Sequence, residues 1–247
     1  MNVLFSPSET KTSLAYASAL DTQSFIFPSL FEKRHEALTH YQDFLHHASL
    51  EELQKLFGLK DKQKVTDLRC TNIFTSLTCK AIERYDGVAY DYLSYATLDA
   101  SSQAWIDTHV IIFSNLFGPL LAKDALPEYK LQQGQSLGAF KPEMFYKEHF
   151  SEAINEWIGD APILDLRAGF YEKFYTLTRP YLTMKFLKGG KVISHFAKAY
   201  RGKVLRTLAC EKPKNEDDFL HIAFENLRIL EISQKSFKKE LLCEIVD

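Results

Sequence analysis

Lys198 and Arg201 are the side chains whose types and spacing point most directly to a ligand. They lie three residues apart in the segment VISHFAKAYRG (192–202), in which an apolar strand runs into a helix start. On a helix, this spacing places both cations on one face, one turn from an N-terminus whose unpaired N–H groups attract anions. The segment therefore predicts an anion-binding site. The alternative is that these cations form an ordinary solvated helix face.

The sequence around this pair is strongly basic. Residues 179–214 contain ten Lys and Arg but a single acid, Glu211, although the net charge of the whole chain is −2. Charge segregation of this kind indicates a polyanionic partner. We expect that partner to be a nucleic acid, namely double-stranded or distorted DNA, or a nucleotide.

Three short apolar segments, residues 3–5, 109–113 and 161–164, are each followed by polar side chains. Helical sequence separates the three segments. This is the pattern of an open α/β sheet, in which ligands bind outside the carboxyl ends of the strands. We therefore expect one cationic crevice at these ends. The residues expected in it are Ser6, Lys11, Ser114, Asn115, Asp165, Arg167, Lys198 and Arg201.

Two functions from different classes fit such a crevice. In a DNA-binding protein, the cations contact phosphates and aromatic side chains stack on exposed bases. In an enzyme acting on a nucleotide or nucleobase, Asp165 is the candidate base or electrostatic stabiliser, and Ser114 and Asn115 hydrogen-bond the base or sugar. His195 is a further catalytic candidate.

A helical hairpin is predicted over residues 49–69. Ser49 and Glu52 match a capping box, and Gly58 separates two short helices. A helix-hairpin-helix presents backbone N–H groups and lysines to phosphates without reading bases. An ordinary helical hairpin is the alternative. The residues expected to contact DNA here are Gly58, Lys60, Lys62 and Lys64.

Metal and thiol chemistry have weaker support. Glu36, His40, Asp43 and His47 share one face of a predicted helix and are candidate ligands for iron, yet charged residues opposite an apolar stripe are typical of any surface helix. The four cysteines have neither a CxxC pair nor zinc-ligand spacing, so we expect reduced, mostly buried thiols. No metal or cofactor is predicted.

Length and composition bound the class of protein. The 247 residues, 46% hydrophobic and 25% charged, suit a single globular domain over residues 1–247. The fold class expected is α/β, with a central mixed β-sheet flanked by helices. No run of about 18 apolar residues and no secretory signal is visible, so we expect a cytoplasmic protein without a membrane partner. We also predict a helix over 71–84 and β-hairpins over 181–194 and 227–246.

Five segments together resemble the YaaA peroxide-stress protein family. They are SPSETK (6–11), RYDGVAYDYL (84–93), SNLFGPLLAKDALPEYKLQQG (114–134), DLRAGFYEKF (165–174) and ISHFAKAYRG (193–202), and the match spans most of the chain. One departure is SNLFG, where the family more usually has SxLYG.

The resemblance implies a cytoplasmic protein with a mixed α/β fold, a helix-hairpin-helix and a positively charged cleft that binds DNA. It also implies a role in surviving hydrogen peroxide, by limiting available iron and so iron-driven damage to DNA. The positions on which the family's segments fall are Ser6, Lys11, Tyr85, Gly87, Ser114, Gly118, Tyr129, Lys130, Lys198, Arg201 and Gly202.

Overall fold

The computed structural model of the protein describes the backbone of residues 1–246 and their side chains, except those of Ser194 and His195. The side chain of the catalytic candidate His195 therefore lies outside the described residues.

A mixed β-sheet forms the centre of the structure. The strands are β1 (Asn2–Phe5), β2 (Thr10–Lys11), β3 (Thr78–Lys80), β4 (Tyr85–Asp86), β5 (Val110–Ser114), β6 (Gly118–Leu121), β7 (Ala125–Pro127), β8 (Ile163–Asp165), β9 (Tyr181–Lys188), β10 (Lys191–Val192), β11 (Leu227–Lys235) and β12 (Lys238–Ile245). The main sheet has the order β11-β12-β9-β8-β1-β5-β6, with β10 paired to β9. Two further pairs, β2 with β4 and β3 with β7, lie outside it.

The middle of the sheet is parallel. β12, β9, β8, β1 and β5 run in one direction, whereas β6 and β11 pair antiparallel at the two edges. Because β1, β5 and β8 are parallel neighbours, their carboxyl ends meet at one edge of the sheet. This confirms the predicted fold class and the predicted convergence of the three strand ends.

Helices cover both faces of the sheet. They are α1 (Phe31–His47), α2 (Leu50–Phe57), α3 (Lys62–Arg69), α4 (Ala81–Arg84), α5 (Val88–Leu93), α6 (Ala100–His109), α7 (Pro142–Ile158), α8 (Ser194–Glu211) and α9 (Glu216–Leu220). Three short 3-10 turns occupy Pro28–Leu30, Tyr95–Thr97 and Gly169–Lys173.

The central strand β1 shows why its sequence is continuously apolar. Val3, Leu4 and Phe5 are each at most 1% exposed. Val3 and Phe5 pack into the hydrophobic core on one face of the sheet, and Leu4 packs into the core on the other. A parallel strand covered on both faces needs apolar side chains at every position.

The predicted helical hairpin is present. The Ser49 hydroxyl accepts the N–H of Glu52, and the Glu52 carboxylate accepts the N–H of Ser49, which completes the capping box. Gly58 ends α2 with a φ of 65°, a conformation that glycine adopts without steric cost. Asp61 caps the start of α3. The predicted β-hairpins are also present as β9–β10 and β11–β12.

The helix predicted over 71–84 is wrong for most of its length. Residues 72–76 form a turn in which the Asn72 side chain accepts the N–H of Phe74 and its carbonyl accepts the Ser76 hydroxyl. The strand β3 follows, and α4 supplies the helical part. The segment TNIFTSLT is rich in short polar side chains that bond to nearby backbone, and such bonds compete with helix formation.

Helices α5 and α8 pack unusually close together at Gly202. A Cβ atom at Gly202 would lie 2.0 Å from the carbonyl oxygen of Ala89. The absence of a side chain there is what permits the contact.

We expect Gly202→Ala to destabilise the protein. The added methyl group would force α5 and α8 apart at a cost of ~1–3 kcal/mol, which exceeds the ~1 kcal/mol that alanine gains over glycine in a helix. Urea denaturation measures the change. The control is Cys210→Ala, at an exposed position of the same helix, which should alter the free energy of unfolding by less than ~0.5 kcal/mol. Equal urea midpoints for Gly202→Ala and wild type would contradict the argument.

Candidate functional site

A pocket of about 290 Å³ lies at the carboxyl ends of β1 and β8. We call it the switch-point pocket and define it by residues 5–10, residues 87–90, Gln133, the post-β8 residues Leu166, Ala168 and Tyr171, and the α8 residues Lys198 and Arg201. Its size is near the lower end of the range of about 300–1,000 Å³ that is usual for small-molecule sites.

The position of the pocket follows from the sheet topology. From β1 the chain continues to β5 on one side, and it later returns to β8 on the other side of β1. Open α/β sheets bind ligands at such a switch point, because the connecting loops diverge there and leave a crevice. The sequence analysis placed the site at the strand ends, and the topology places it between β1 and β8 in particular.

Ser6 joins the walls of the pocket. Its hydroxyl oxygen accepts the N–H of Ala168 at 2.7 Å, and its carbonyl accepts the hydroxyl of Tyr90 at 2.9 Å. The N–H of Leu166 donates to the carbonyl of Leu4 at 2.9 Å. Ser6 thus ties the loop after β1 to the turn after β8 and to α5, while its own proton stays available for a ligand.

Both cations of the opening pair line the switch-point pocket. Lys198 is exposed, whereas Arg201 is mostly buried. Burial lowers the pKa of Arg201, and the nearby Asp165 carboxylate acts in the opposite direction. Among the described side chains, neither cation forms a hydrogen bond or an ion pair. Two uncompensated cations in a concave site are suited to binding an anion.

The rest of the basic segment disperses over the surface. Arg206 donates to the carbonyls of Leu93 and Ser94 at the end of α5. Lys212 donates to Ser101, and Arg179 donates to the carbonyl of Gly159. The ten cations therefore do not form one surface.

Lys11 and Lys130 support the pocket loop from behind. Lys130 Nζ donates to the carbonyl of Glu9 at 3.0 Å, and Lys11 Nζ donates to the carbonyl of Ser8 at 3.4 Å. Lys11 Nζ also lies 4.2 Å from the ring centroid of Tyr129. Burial, with a further contribution from Lys130, lowers the pKa of Lys11 to about 7. Neither lysine is among the residues that line the pocket.

Ser114 is the buried end of a chain of hydroxyl groups. Its oxygen accepts the N–H groups of Leu116 and Phe117 at 3.2 and 2.9 Å. Because these bonds occupy both lone pairs, the Ser114 proton is donated to Tyr129 at 2.7 Å, and the Tyr129 proton is donated to Tyr85 at 2.9 Å. Ser114 therefore organises the interior beside the site rather than facing the pocket.

Asn115 is 6% exposed and its two amide atoms differ in their environment. Nδ2 donates to the carbonyl of Leu131 at 3.3 Å, which fixes the orientation of the amide. Oδ1 is buried and has no hydrogen-bond partner. The amide lies beside Tyr171, which lines the pocket.

Asp165 and Arg167 form a buried two-bond ion pair. Arg167 donates to the two carboxylate oxygens at 2.9 and 2.8 Å, and it also donates to the carbonyls of Tyr171 and Tyr175. The pair lines a separate cavity of about 80 Å³. It shapes the turn that presents Ala168 and Tyr171, and the catalytic role considered for Asp165 stays a prediction.

The helical hairpin lies next to the segment that carries Gln133. The N–H of Gln132 donates to the carbonyl of Leu56, and a Cβ at Gly58 would meet the Gln132 side chain at 2.8 Å. Its backbone donors are already used: Gly58 donates within α2, and the first N–H groups of α3 donate to Asp61. DNA contact here stays a prediction that depends on three exposed side chains, Lys60, Lys62 and Lys64.

The candidate metal ligands on α1 have other contacts. Glu36 pairs with Lys33 at 2.9 Å, His40 stacks on Phe140, and His47 bonds to the backbone of Asp43. Within the described part of the chain, no group of three or more His, Cys, Asp or Glu side chains could hold a metal ion.

The cysteines are free. Cys79 and Cys243 are buried, as expected, whereas Cys70 and Cys210 are exposed. Burial raises the pKa of both buried thiols to about 11.

Sequence reasoning did not single out two aromatic walls of the pocket, Tyr90 and Tyr171. Each lies in a segment that it did quote, RYDGVAYDYL and DLRAGFYEKF. The available signal was their position, because each follows a turn close to a strand end. A tyrosine there is equally suited to the core, and only the tertiary structure separates the two environments.

Across residues 1–246, no helix has the length and apolarity needed to cross a membrane.

Known proteins match the chain along most of its length. Residues 1–232 match the family model described as peroxide stress protein YaaA. An uncharacterised protein of Campylobacter jejuni is 47% identical over 247 residues, covering 100% of both chains. A UPF0246 protein of Corynebacterium glutamicum is 32% identical over 233 residues, covering 90% of this chain and 91% of the relative. A UPF0246 protein of Streptomyces coelicolor is 29% identical over 215 residues, covering 84% and 82%.

Lys11→Met is expected to change how stability depends on pH. The pKa of Lys11 is about 7 in the folded protein against an ordinary value of 10.5, so between these values the unfolded chain binds the additional proton. The free energy of unfolding of the wild type therefore gains from this group as pH rises from 7 toward 10.5. The variant should be more stable than the wild type at pH 7 by ~1–3 kcal/mol, and the difference should shrink toward pH 10.5.

Chemical denaturation at several pH values measures this difference. The control is Lys60→Met, at an exposed position, which should give a small difference that does not change with pH. A difference for Lys11→Met that is equally insensitive to pH would show that Lys11 remains charged throughout.

Proposed function

The chain belongs to the peroxide stress protein YaaA family, and from that premise we propose that it binds DNA and holds one nucleotide of a distorted strand in the switch-point pocket. The observation that carries the proposal is the pair Lys198 and Arg201, two cations without protein partners in a pocket at the sheet's switch point. We further propose that this binding helps to limit iron-driven oxidative damage to DNA. Unpaired or damaged nucleotides are the easiest to extrude from a duplex.

Phosphate binding is assigned to α8. The planar guanidinium of Arg201 supplies donors that match two phosphate oxygens, and its burial strengthens the attraction because water screens it less. Lys198 lies one turn earlier on the same helix face and is exposed, so it suits the phosphate nearer the solvent.

Base binding is assigned to the walls opposite the cations. Tyr90 and Tyr171 contribute aromatic rings, and Phe5, Val88 and Leu166 contribute apolar surface. A base that leaves a duplex needs both a stacking surface and shelter from water. The pocket provides both beside the phosphate-binding cations.

An enzyme that acts on a nucleotide or nucleobase is the second candidate function. The buried Oδ1 of Asn115 beside the pocket favours it, because phosphate contacts alone do not require a buried polar atom at that position. Incubating the protein with extruded-nucleotide DNA and with free nucleotides, followed by mass spectrometry, separates the two. A released base or altered nucleotide favours the enzyme, and unchanged substrate favours the binding protein.

We expect the wild type to bind a labelled DNA duplex with a one-nucleotide bulge more tightly than the fully paired duplex of equal length. The affinity should fall steeply with salt. Lys198→Ala should weaken binding and reduce the slope of log K against log[salt] by about 1. Arg201→Ala should weaken it further, because its charge is more buried. Fluorescence anisotropy measures these affinities, with thermal unfolding to confirm that each variant is folded.

A triple variant of the helical hairpin, with Lys60, Lys62 and Lys64 changed to Ala, tests the second predicted contact. If the hairpin holds the flanking duplex, the variant should weaken binding to bulged and paired DNA by the same factor. Lys214→Ala, outside both regions, is the control. An affinity that is flat between low and physiological salt, or that is unchanged in both Lys198→Ala and Arg201→Ala, would refute the proposal.

A further inference from the structure

One buried acceptor beside the switch-point pocket lacks a partner. Asn115 Oδ1 has no hydrogen bond, although the residue is 6% exposed. The opposite end of the amide is fixed, because Nδ2 donates to the carbonyl of Leu131 at 3.3 Å. A reversed amide would place two carbonyl oxygens against each other. Leaving a buried acceptor unpaired costs about 1–3 kcal/mol, so a group that pairs with it is expected to bind there.

The neighbouring hydroxyl groups do not supply that group. The Ser114 proton is donated to Tyr129, and the Tyr129 proton is donated to Tyr85, because the N–H groups of Leu116 and Phe117 occupy the Ser114 oxygen. The sequence neighbour of Asn115 is therefore committed to a separate network.

Tyr171 is the residue through which Asn115 meets the pocket. Its side chain lines the pocket and is 4% exposed. Burial raises the pKa of the Tyr171 hydroxyl, and the Asn115 amide acts in the opposite direction, which marks the two groups as neighbours. The phenol stays protonated near neutral pH and remains a hydrogen-bond donor. No hydrogen bond of its hydroxyl to a described acceptor satisfies normal geometry, so its proton is available to a ligand.

A donor and an acceptor thus lie side by side, both buried and both without a committed partner. We infer that Tyr171 and Asn115 select nucleotides whose base carries a carbonyl next to a ring N–H, the lactam edge of hypoxanthine, guanine, uracil and thymine. This inference rests on the proposed function and names the class of base that the pocket accepts. The base carbonyl accepts from the Tyr171 hydroxyl, and the ring N–H donates to Asn115 Oδ1.

Amino-bearing bases present the opposite pattern. Adenine and cytosine have an amino donor where the lactam bases have the carbonyl, and an unprotonated ring nitrogen where those have the N–H. Against Tyr171 and Asn115 this arrangement opposes donor to donor and acceptor to acceptor. Sites built to pair with a particular donor or acceptor reject analogues that lack it, because the buried protein groups are then left unpaired.

The test uses the full chain and bulged duplexes that differ in a single base. Deoxyinosine and deoxyadenosine at the bulge form the matched pair, because their bases share the purine frame and differ at the edge in question. Deoxyuridine and deoxycytidine form the pyrimidine pair. Fluorescence anisotropy should show at least about fivefold tighter binding of the lactam base in each pair, the discrimination that one good two-bond contact provides.

Tyr171→Phe removes the donor while keeping the ring. It should reduce the discrimination to less than about twofold by weakening binding of the lactam bases. Tyr175→Phe is the matched control, because it removes a buried hydroxyl that bonds to Asn155 outside the switch-point pocket, and its discrimination should equal that of the wild type. Asn115→Ser shortens the acceptor and should have the effect of Tyr171→Phe. If that variant fails to fold, Tyr171→Phe decides the test alone.

The possible failures are distinguishable. Bulged DNA that binds in a salt-dependent manner without preference within either pair would overturn this inference and leave the proposed function standing. Discrimination that survives in Tyr171→Phe would do the same, as would a water molecule that serves Asn115 in place of a base. If no bulged duplex binds more tightly than paired DNA, the proposed function fails and this inference fails with it.

Discussion

The parallel pairing of β1 with β5 on one side and β8 on the other is the constraint on which the remaining structure depends. Val3 pairs with Val110 and with Leu164, so three segments far apart in sequence end at the same edge. The strand is buried on both faces, which requires helices on both sides of the sheet. Those helices reach it through long connections, and the divergence of these connections around β1 leaves the crevice that becomes the switch-point pocket.

Charged side chains near this edge divide into two groups with different energetic roles. Asp165 and Arg167 satisfy one another with two hydrogen bonds and hold the turn after β8. Removing one partner of such a pair is costly, because the other charge is left buried and unpaired. Lys198 and Arg201 have no such compensation among the described side chains. A burial cost without a structural return is the mark of a site kept for a ligand.

The sequence predicted the parts of this arrangement that local patterns determine. Apolar runs gave the three strands, the spacing of Lys198 and Arg201 gave one wall of the pocket, and Ser49 with Glu52 gave the start of α2. Which polar residues share a cavity was not predictable, because it depends on side-chain direction. Asp165, Ser114 and Arg201 were expected in one crevice, yet the first pairs with Arg167, the second bonds to Tyr129, and the third faces the pocket. The helix expected over 71–84 failed because hydroxyl and amide side chains bonded to the local backbone.

The close approach at Gly202 bears on how a ligand enters. Helix α5 supplies residues 87–90 of the pocket and α8 supplies Lys198 and Arg201, so contact between the helix backbones fixes these two walls relative to each other. The loop of residues 6–10 is the wall with freedom to move, since hydrogen bonds rather than packed backbone hold it. Opening by loop displacement takes nanoseconds to microseconds, whereas separating packed helices is slower. Admission of a ligand is therefore expected to be fast, and the spacing between aromatic ring and cation should stay constant from the empty to the occupied state.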